Sequence, residues 1–174
     1  MGDGPRAELA LAMLGDVLSA CVAVGETTTV VTADDAAAEL AEELGASTLR
    51  DPGGGQGAAV AAALGSGATL VVIADLPCAT PGDLRRLAEA APPGGLALVE
   101  AEDGTTNALA LSSAALFAPV YGPGSAARFR SLAPEAVSVE LPNLALDVDT
   151  LGDLERAQPT AGRRTQAALA ALAR

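Results

Sequence analysis

Two hydrophobic patterns alternate along the chain, one recurring at helical spacing and the other running unbroken for a few residues. Residues 6–24 place Leu9, Met13, Leu14, Val17, Leu18 and Cys21 on one stripe, the period of an amphipathic helix, with Asp16 assigned to its outer face. A β-branched strand at 28–32 follows, then a helix capped by Asp34-Asp35 that runs to Leu44 and stops at Gly45, then a short strand at 47–49. The most apolar run, residues 68–77 (Ala-Thr-Leu-Val-Val-Ile-Ala-Asp-Leu-Pro), has no polar face, which predicts a central parallel strand covered by helices on both sides. It stops at Asp75 and is closed by Pro77. Beyond it the pattern predicts a helix over 80–91 with Asp83 and Arg86 outside, strands at 96–100 and 107–111, a helical segment at 112–120 and a helix carrying residues 126–129. Strands at 137–141 and 144–148, a helix from Thr150 to before Pro159 and a tail helix complete the chain. This alternation reads as one α/β domain over residues 1–174, with residues 160–174 as its C-terminal tail helix.

In open α/β sheets ligands bind beyond the carboxyl ends of the strands. Asp75 therefore stands where a metal or substrate would sit, unless it only caps the turn before the Thr80-Pro81 helix start. Asp147 and Asp149 are two apart and share a face if their strand persists. The loop at 51–57 (Asp-Pro-Gly-Gly-Gly-Gln-Gly) follows a strand and opens an Ala-rich helix, so its amides suit a phosphate or a nucleobase, or it is a plain connector. It lacks the Gly-Lys-Ser/Thr of a Walker loop. The loop at 122–125 supplies amides and a hydroxyl at a helix start, with Arg128 one turn further on, an arrangement able to hold a small phosphorylated or carboxylated acid. Carboxylates from two strand ends are what a Mg²⁺ bridging phosphates requires.

Composition narrows the partners. A chain of 174 residues can bury a real core without disulfides or structural metal. A net charge of -12 argues against a broad basic face for nucleic acid or an anionic membrane, while a divalent cation held by carboxylates still allows an anionic substrate. With no His and only Cys21 and Cys78, far apart, zinc and thiol–imidazole sites find no ligands, and both cysteines read as reduced core residues. No apolar run reaches the ~18 residues of a membrane span, and Met1 to Pro5 lacks the start of a signal peptide, so a cytoplasmic protein is expected.

Four ordered motifs carry a family likeness: Ala-Asp-Leu-Pro at 74–77, Gly-Thr-Thr-Asn-Ala-Leu at 104–109, Gly-Pro-Gly-Ser-Ala-Ala-Arg at 122–128 and Leu-Asp-Val-Asp-Thr at 146–150. Together they resemble the 2-phospho-L-lactate guanylyltransferase family, also called phosphoenolpyruvate guanylyltransferase, over residues 6–156. The resemblance implies a Rossmann-like three-layer nucleotidyltransferase fold with a mostly parallel central sheet. It also implies Mg²⁺-dependent transfer of GMP from GTP to a phosphorylated three-carbon acid, in biosynthesis of the deazaflavin coenzyme F(420). Carried over to this chain, it makes Asp75, Asp147 and Asp149 the catalytic, metal-binding acids. Thr106, Asn107, Gly122, Ser125 and Arg128 then hold the phospho-acid, and Gly54, Gly55, Gln56 and Gly57 the nucleotide. Family members begin with a strand and a Lys/Arg-containing loop, whereas here Met1-Gly-Asp-Gly-Pro enters the first helix. The expected fold is therefore N-terminally truncated, and in-frame codons upstream of Met1 would supply the strand. The family's Leu-Asn pair is Gln56-Gly57 here, and its His after Arg128 is Phe129.

A phosphate nucleophile is already ionised at neutral pH and needs no general base, so a chain without His can perform this transfer. Two other readings stay open: a non-catalytic module of the same fold that binds a phospho-acid or a protein, and a related transferase using another nucleotide. A sugar transferase is disfavoured, since Asp75-Leu76-Pro77 is not an Asp-x-Asp motif. The exposed side of the tail helix is either a homodimer contact or a solvated face.

Overall fold

The computed structural model describes residues 3–25 and 27–173. The chain opens with α1 (Asp3–Val22), then β1 (Thr29–Thr32), α2 (Asp35–Glu43), β2 (Ser47–Arg50), α3 (Gln56–Ala63), β3 (Thr69–Val72) and α4 (Pro81–Ala90). It continues with β4 (Leu96–Glu100), β5 (Thr106–Leu111), α5 (Ser125–Leu132), β6 (Val137–Ser138), α6 (Pro142–Ala145), α7 (Leu151–Ala157) and α8 (Arg163–Leu172). The starts follow local chemistry. Asp34 and Thr80 each accept an N–H from the first turn of the helix they precede, Pro81 presets the helical φ of α4, and Thr150 forms a reciprocal capping box with Asp153.

The strands make two ladders. β1 and β2 pair in parallel, and a four-stranded ladder runs β3-β5-β4-β6. Within it β5 is the one reversed strand, antiparallel to both β3 and β4, while β6 is parallel to β4. Three of its four strands thus share a direction. Alternation along β4 and β5 sorts the core into two layers. Ala97, Val99, Ala108 and Ala110 face α1 and α4 (Val17, Ala20, Leu84, Leu87), whereas Leu96, Leu98, Leu109 and Leu111 face Ala126 and Phe129 of α5. The result is helix, sheet, helix, in the α/β class expected.

β3 is covered on both faces, Leu70 and Val72 on one side and Val71 on the other, yet it lies at the edge of its ladder and its residues are only half-buried. Its pairing also ends at Val72, so Asp75 follows the strand at a turn. Residues 112–120 are not an α-helix: a single 3-10 turn at Ala114–Leu116 is all that forms, because Pro119 disfavours helical geometry in the residue before it. The strand expected at 144–148 is replaced by the short α6, started by Pro142, so Asp147 and Asp149 sit on irregular chain between α6 and α7. Asp16 does not face solvent. It is buried, and its carboxylate accepts the N–H groups of Arg164 (3.0 Å) and Thr165 (2.9 Å), which supplies negative charge at the start of α8 where Arg163 and Arg164 alone would oppose the helix dipole. Asp83 is likewise buried and accepts from Thr80 and from Asn143 of α6.

Candidate active site

At the carboxyl end of β3 and the start of β5, a cleft of about 360 Å³ is lined by Asp75, Thr106, Asn107, Gly122, Ser125, Asp147 and Asp149, with Gln56, Ile73, Ala74, Asp103, Thr105 and Tyr121. Its size suits a small ligand or part of a nucleotide. Segments from four parts of the chain meet because backbone bonds stitch them. Ile73 N–H donates to the Asn107 carbonyl at 3.1 Å, holding the exit of β3 beside the start of β5, and Val148 N–H donates to the Asp75 carbonyl at 3.1 Å, bringing the second acidic segment to the first.

Side chains complete the frame. Asn107, fully buried, donates from Nδ2 to Asp147 Oδ1 at 3.2 Å. Thr106 and Ser125, also buried, share a hydroxyl hydrogen bond of 3.0 Å that ties β5 to the start of α5. Among the described residues that line the cleft, two buried acceptors are left without a protein partner, Asp75 Oδ1 and Asn107 Oδ1. Buried acceptors in folded proteins are normally satisfied, so these two oxygens at the cleft have spare capacity for a donor or a cation. Burial pushes the Asp75 carboxyl up to about 6, and the neighbouring charges of Asp147 and Asp149 add to the rise.

The Gly-rich loop contributes less than the sequence suggests. Gln56, the first residue of α3, reaches the cleft, while Gly54 and Gly55 are not among its lining residues. Both adopt positive φ (90° and 86°), which makes glycine a requirement of the turn itself. Gly57 packs against Pro119, where a Cβ would stand 2.7 Å from the proline ring, so its role is close packing. Arg128, expected to hold substrate, is also absent from the lining. Its guanidinium instead donates to the carbonyls of Val120 (3.0 Å), Pro123 (2.8 Å), Tyr121 (3.1 Å) and Gly122 (3.2 Å).

Sequence reasoning missed Ile73, Ala74, Asp103 and Tyr121. The Asp103 carboxylate accepts from the N–H and hydroxyl of Thr105, which holds its carboxyl below the ordinary range. Tyr121 packs edge-on against Phe129 with ring centroids 5.1 Å apart, and burial raises its phenol above the ordinary value, keeping it protonated. Among the described residues, no three His, Cys, Asp or Glu side chains stand together as a ready metal cluster, and no helix is long and apolar enough to cross a membrane.

Residues 7–139 match the family model of the MobA-like NTP transferase domain. The chain is 38% identical to a phosphoenolpyruvate guanylyltransferase of Nocardia farcinica, over 94% of this chain and 79% of the relative. It is 38% identical to the Streptomyces scabiei protein of the same name (98% of this chain, 87% of the relative) and 36% identical to that of Rubrobacter xylanophilus (90% and 83%). The cleft-lining residues from Gln56 to Ser125 fall inside the matched domain, whereas Asp147 and Asp149 lie beyond its end.

Proposed function

The chain belongs to the phosphoenolpyruvate guanylyltransferases, within the MobA-like NTP transferase family, and from that premise we propose that its cleft joins GMP from GTP to phosphoenolpyruvate or 2-phospho-L-lactate. A phosphate oxygen of the acid attacks the α-phosphorus, the bond to the β-phosphate breaks and pyrophosphate leaves. The product is a GMP-linked diphosphate, a precursor for coenzyme F(420) biosynthesis. The observation that carries the reading is the meeting, in one cleft, of all four motifs that bear the family likeness.

Placement in the cleft supports a role for each residue. Gly122, Ser125, Thr106 and Asn107 orient the phospho-acid through amide, hydroxyl and carboxamide groups, and Gln56 at the start of α3 meets the nucleotide. The residues present fit a magnesium ion. The unpartnered Asp75 and Asn107 oxygens are hard donors, and Mg²⁺ keeps most of its waters and needs only one or two carboxylates, so a tight three-acid cluster is not demanded. Asp75, with Asp147 and Asp149, would hold it, and when bound it neutralises charge on the transferring phosphate. Asp147 is held in place by Asn107, which orients the carboxylate without competing for the proton-free nucleophile. A base is unnecessary, consistent with the absence of His.

Pyrophosphate release from GTP, followed with phosphoenolpyruvate and with 2-phospho-L-lactate in the presence of Mg²⁺, tests the proposal. Release with either acid, lost on chelation and in Asp75→Asn, is expected. Release with another triphosphate in place of GTP would redirect the nucleotide assignment. Calorimetric binding of phosphoenolpyruvate with no GTP binding and no turnover would replace the enzyme by a binding module.

A further inference from the structure

Arg128 spends its guanidinium on the loop that precedes its own helix. Nε and both Nη atoms donate to four consecutive carbonyls, those of Val120, Tyr121, Gly122 and Pro123, at 2.8 to 3.2 Å. An arginine has five N–H donors in a rigid planar fork, so most of its capacity is used inside the protein. Gly122 and Gly124 take positive φ (100° and 71°) to wrap the loop, and a Cβ on Gly124 would stand 3.6 Å from Nη1.

Peptide geometry gives this clamp a consequence for the cleft. Among the described residues no peptide is cis. In a trans peptide the C=O and the N–H that follows it point in opposite directions. With the carbonyls of residues 120, 121 and 123 drawn onto the guanidinium, the N–H groups of Tyr121, Gly122 and Gly124 turn away from it. The peptide after Gly122 has no N–H to turn, because residue 123 is proline. Unclamped, the same loop is free to present carbonyl oxygens to the cleft, and these repel an anion. Clamped, its N–H groups face away from the guanidinium, and two of the residues that carry them, Tyr121 and Gly122, line the cleft with Ser125, which is fixed from the other side by Thr106.

We propose that Arg128 is a positioning residue for the bound acid: it does not touch the substrate but holds the 120–124 loop so that backbone N–H groups, rather than carbonyl oxygens, meet the substrate's anionic oxygens. The proposal rests on the reading of the cleft as a phospho-acid site. It explains why an arginine that the spacing places one turn into a helix lies outside the cleft. Lysine cannot replace it, since one ammonium with three N–H groups cannot span four carbonyls.

The test compares wild-type protein with Arg128→Ala and Arg128→Lys by steady-state kinetics and by amide hydrogen exchange. Expected for both variants is a rise in KM for the phospho-acid of about tenfold or more, the loss of roughly one charged hydrogen bond, with KM for GTP unchanged and a smaller fall in kcat. Methylguanidinium, at concentrations below any unfolding, should recover part of the KM in Arg128→Ala and none in Arg128→Lys. Amides in residues 120–126 should exchange faster in both variants without substrate present. An active wild type whose Arg128→Ala form keeps its KM for the acid, or whose 120–126 amides exchange as before, overturns the positioning role alone. A wild type that releases no pyrophosphate with either acid overturns the functional reading and this proposal with it.

Discussion

Asn107 donates to Asp147 through its Nδ2, at 3.2 Å, and its own carboxamide oxygen is left buried without a partner, as is Oδ1 of Asp75 in the same cleft. One contact therefore does two things: it steadies an acid from the 147–149 segment and aims a second, neutral oxygen at the same cleft. An asparagine suits the position because it brings both a donor and an acceptor without adding a further negative charge to a cleft already lined by Asp75, Asp103, Asp147 and Asp149.

Asn107→Asp tests that neutrality. The new carboxylate would lose the donor to Asp147 and add like-charge repulsion in a buried place, so the variant should be destabilised by about 1–3 kcal/mol at pH 8 and by less at pH 5, where part of the cluster protonates. Thermal unfolding at the two pH values measures it. A variant as stable as the parent at both would mean that the cleft is far wetter than its burial indicates.

The tail helix offers a separate check, away from the cleft. The Asp16 carboxylate fills the space beside Gly162, where a Cβ would collide with it, while accepting two N–H groups at the start of α8. Asp16→Ala should cost about 1–2 kcal/mol as a lost helix cap. Gly162→Ala should destabilise the parent but be nearly neutral in the Asp16→Ala background, because the obstructing group is gone. A double-mutant cycle by urea denaturation gives the coupling, and additive costs would refute the steric account.

The parts of the site legible in the sequence are those set by local chemistry. Asp75 was visible because an apolar run ends on it, and Ser125 because Gly-Pro-Gly announces a helix start. What sequence could not show depends on contacts between distant segments. Apolar periodicity read residues 144–148 as a strand, yet Pro142 starts a helical turn, and the Val148 N–H bond to Asp75, not a strand, brings Asp147 to the cleft. Asp16 and Asp83 looked like surface acids on helices, but each answers donors supplied by another helix across the core. Tyr121, the one tyrosine of the chain, lies next to a motif that was recognised, and only its packing on Phe129 shows that it belongs to the wall.

The Thr106 and Ser125 hydroxyls are each other's partners inside the protein, and both are buried. Thr106→Val leaves the Ser125 hydroxyl buried without that bond, and Ser125→Ala does the reverse, so each single variant should lose about 1–2 kcal/mol. The double variant should lose less than the sum, by roughly 1 kcal/mol, since the second change removes a group already deprived of its partner. Chemical denaturation of the four proteins decides it, and strict additivity would show that the pair is not a mutual hydrogen bond in solution.

Asp75 gives the pH prediction with the clearest sign. Its carboxyl is pushed up to about 6, first by burial and then by Asp147 and Asp149, from an ordinary 3.8. Below pH 3.8 it is protonated in folded and unfolded chains alike and contributes nothing. Above pH 6 it is charged in both, and the folded state bears the cost of that charge, so this group makes stability fall as pH rises from about 4 to 6, by about 3 kcal/mol if the full shift is expressed. Asp75→Asn stays neutral, so its stability relative to the parent should climb across the same window and level off above it. Added Mg²⁺ should offset the cost in the parent at pH 8, raising its unfolding temperature more than that of Asp75→Asn, and should do little at pH 4, where the carboxyl holds its proton. Parallel pH curves for parent and variant would remove the burial penalty from Asp75, and equal Mg²⁺ shifts at pH 8 would remove the metal from it.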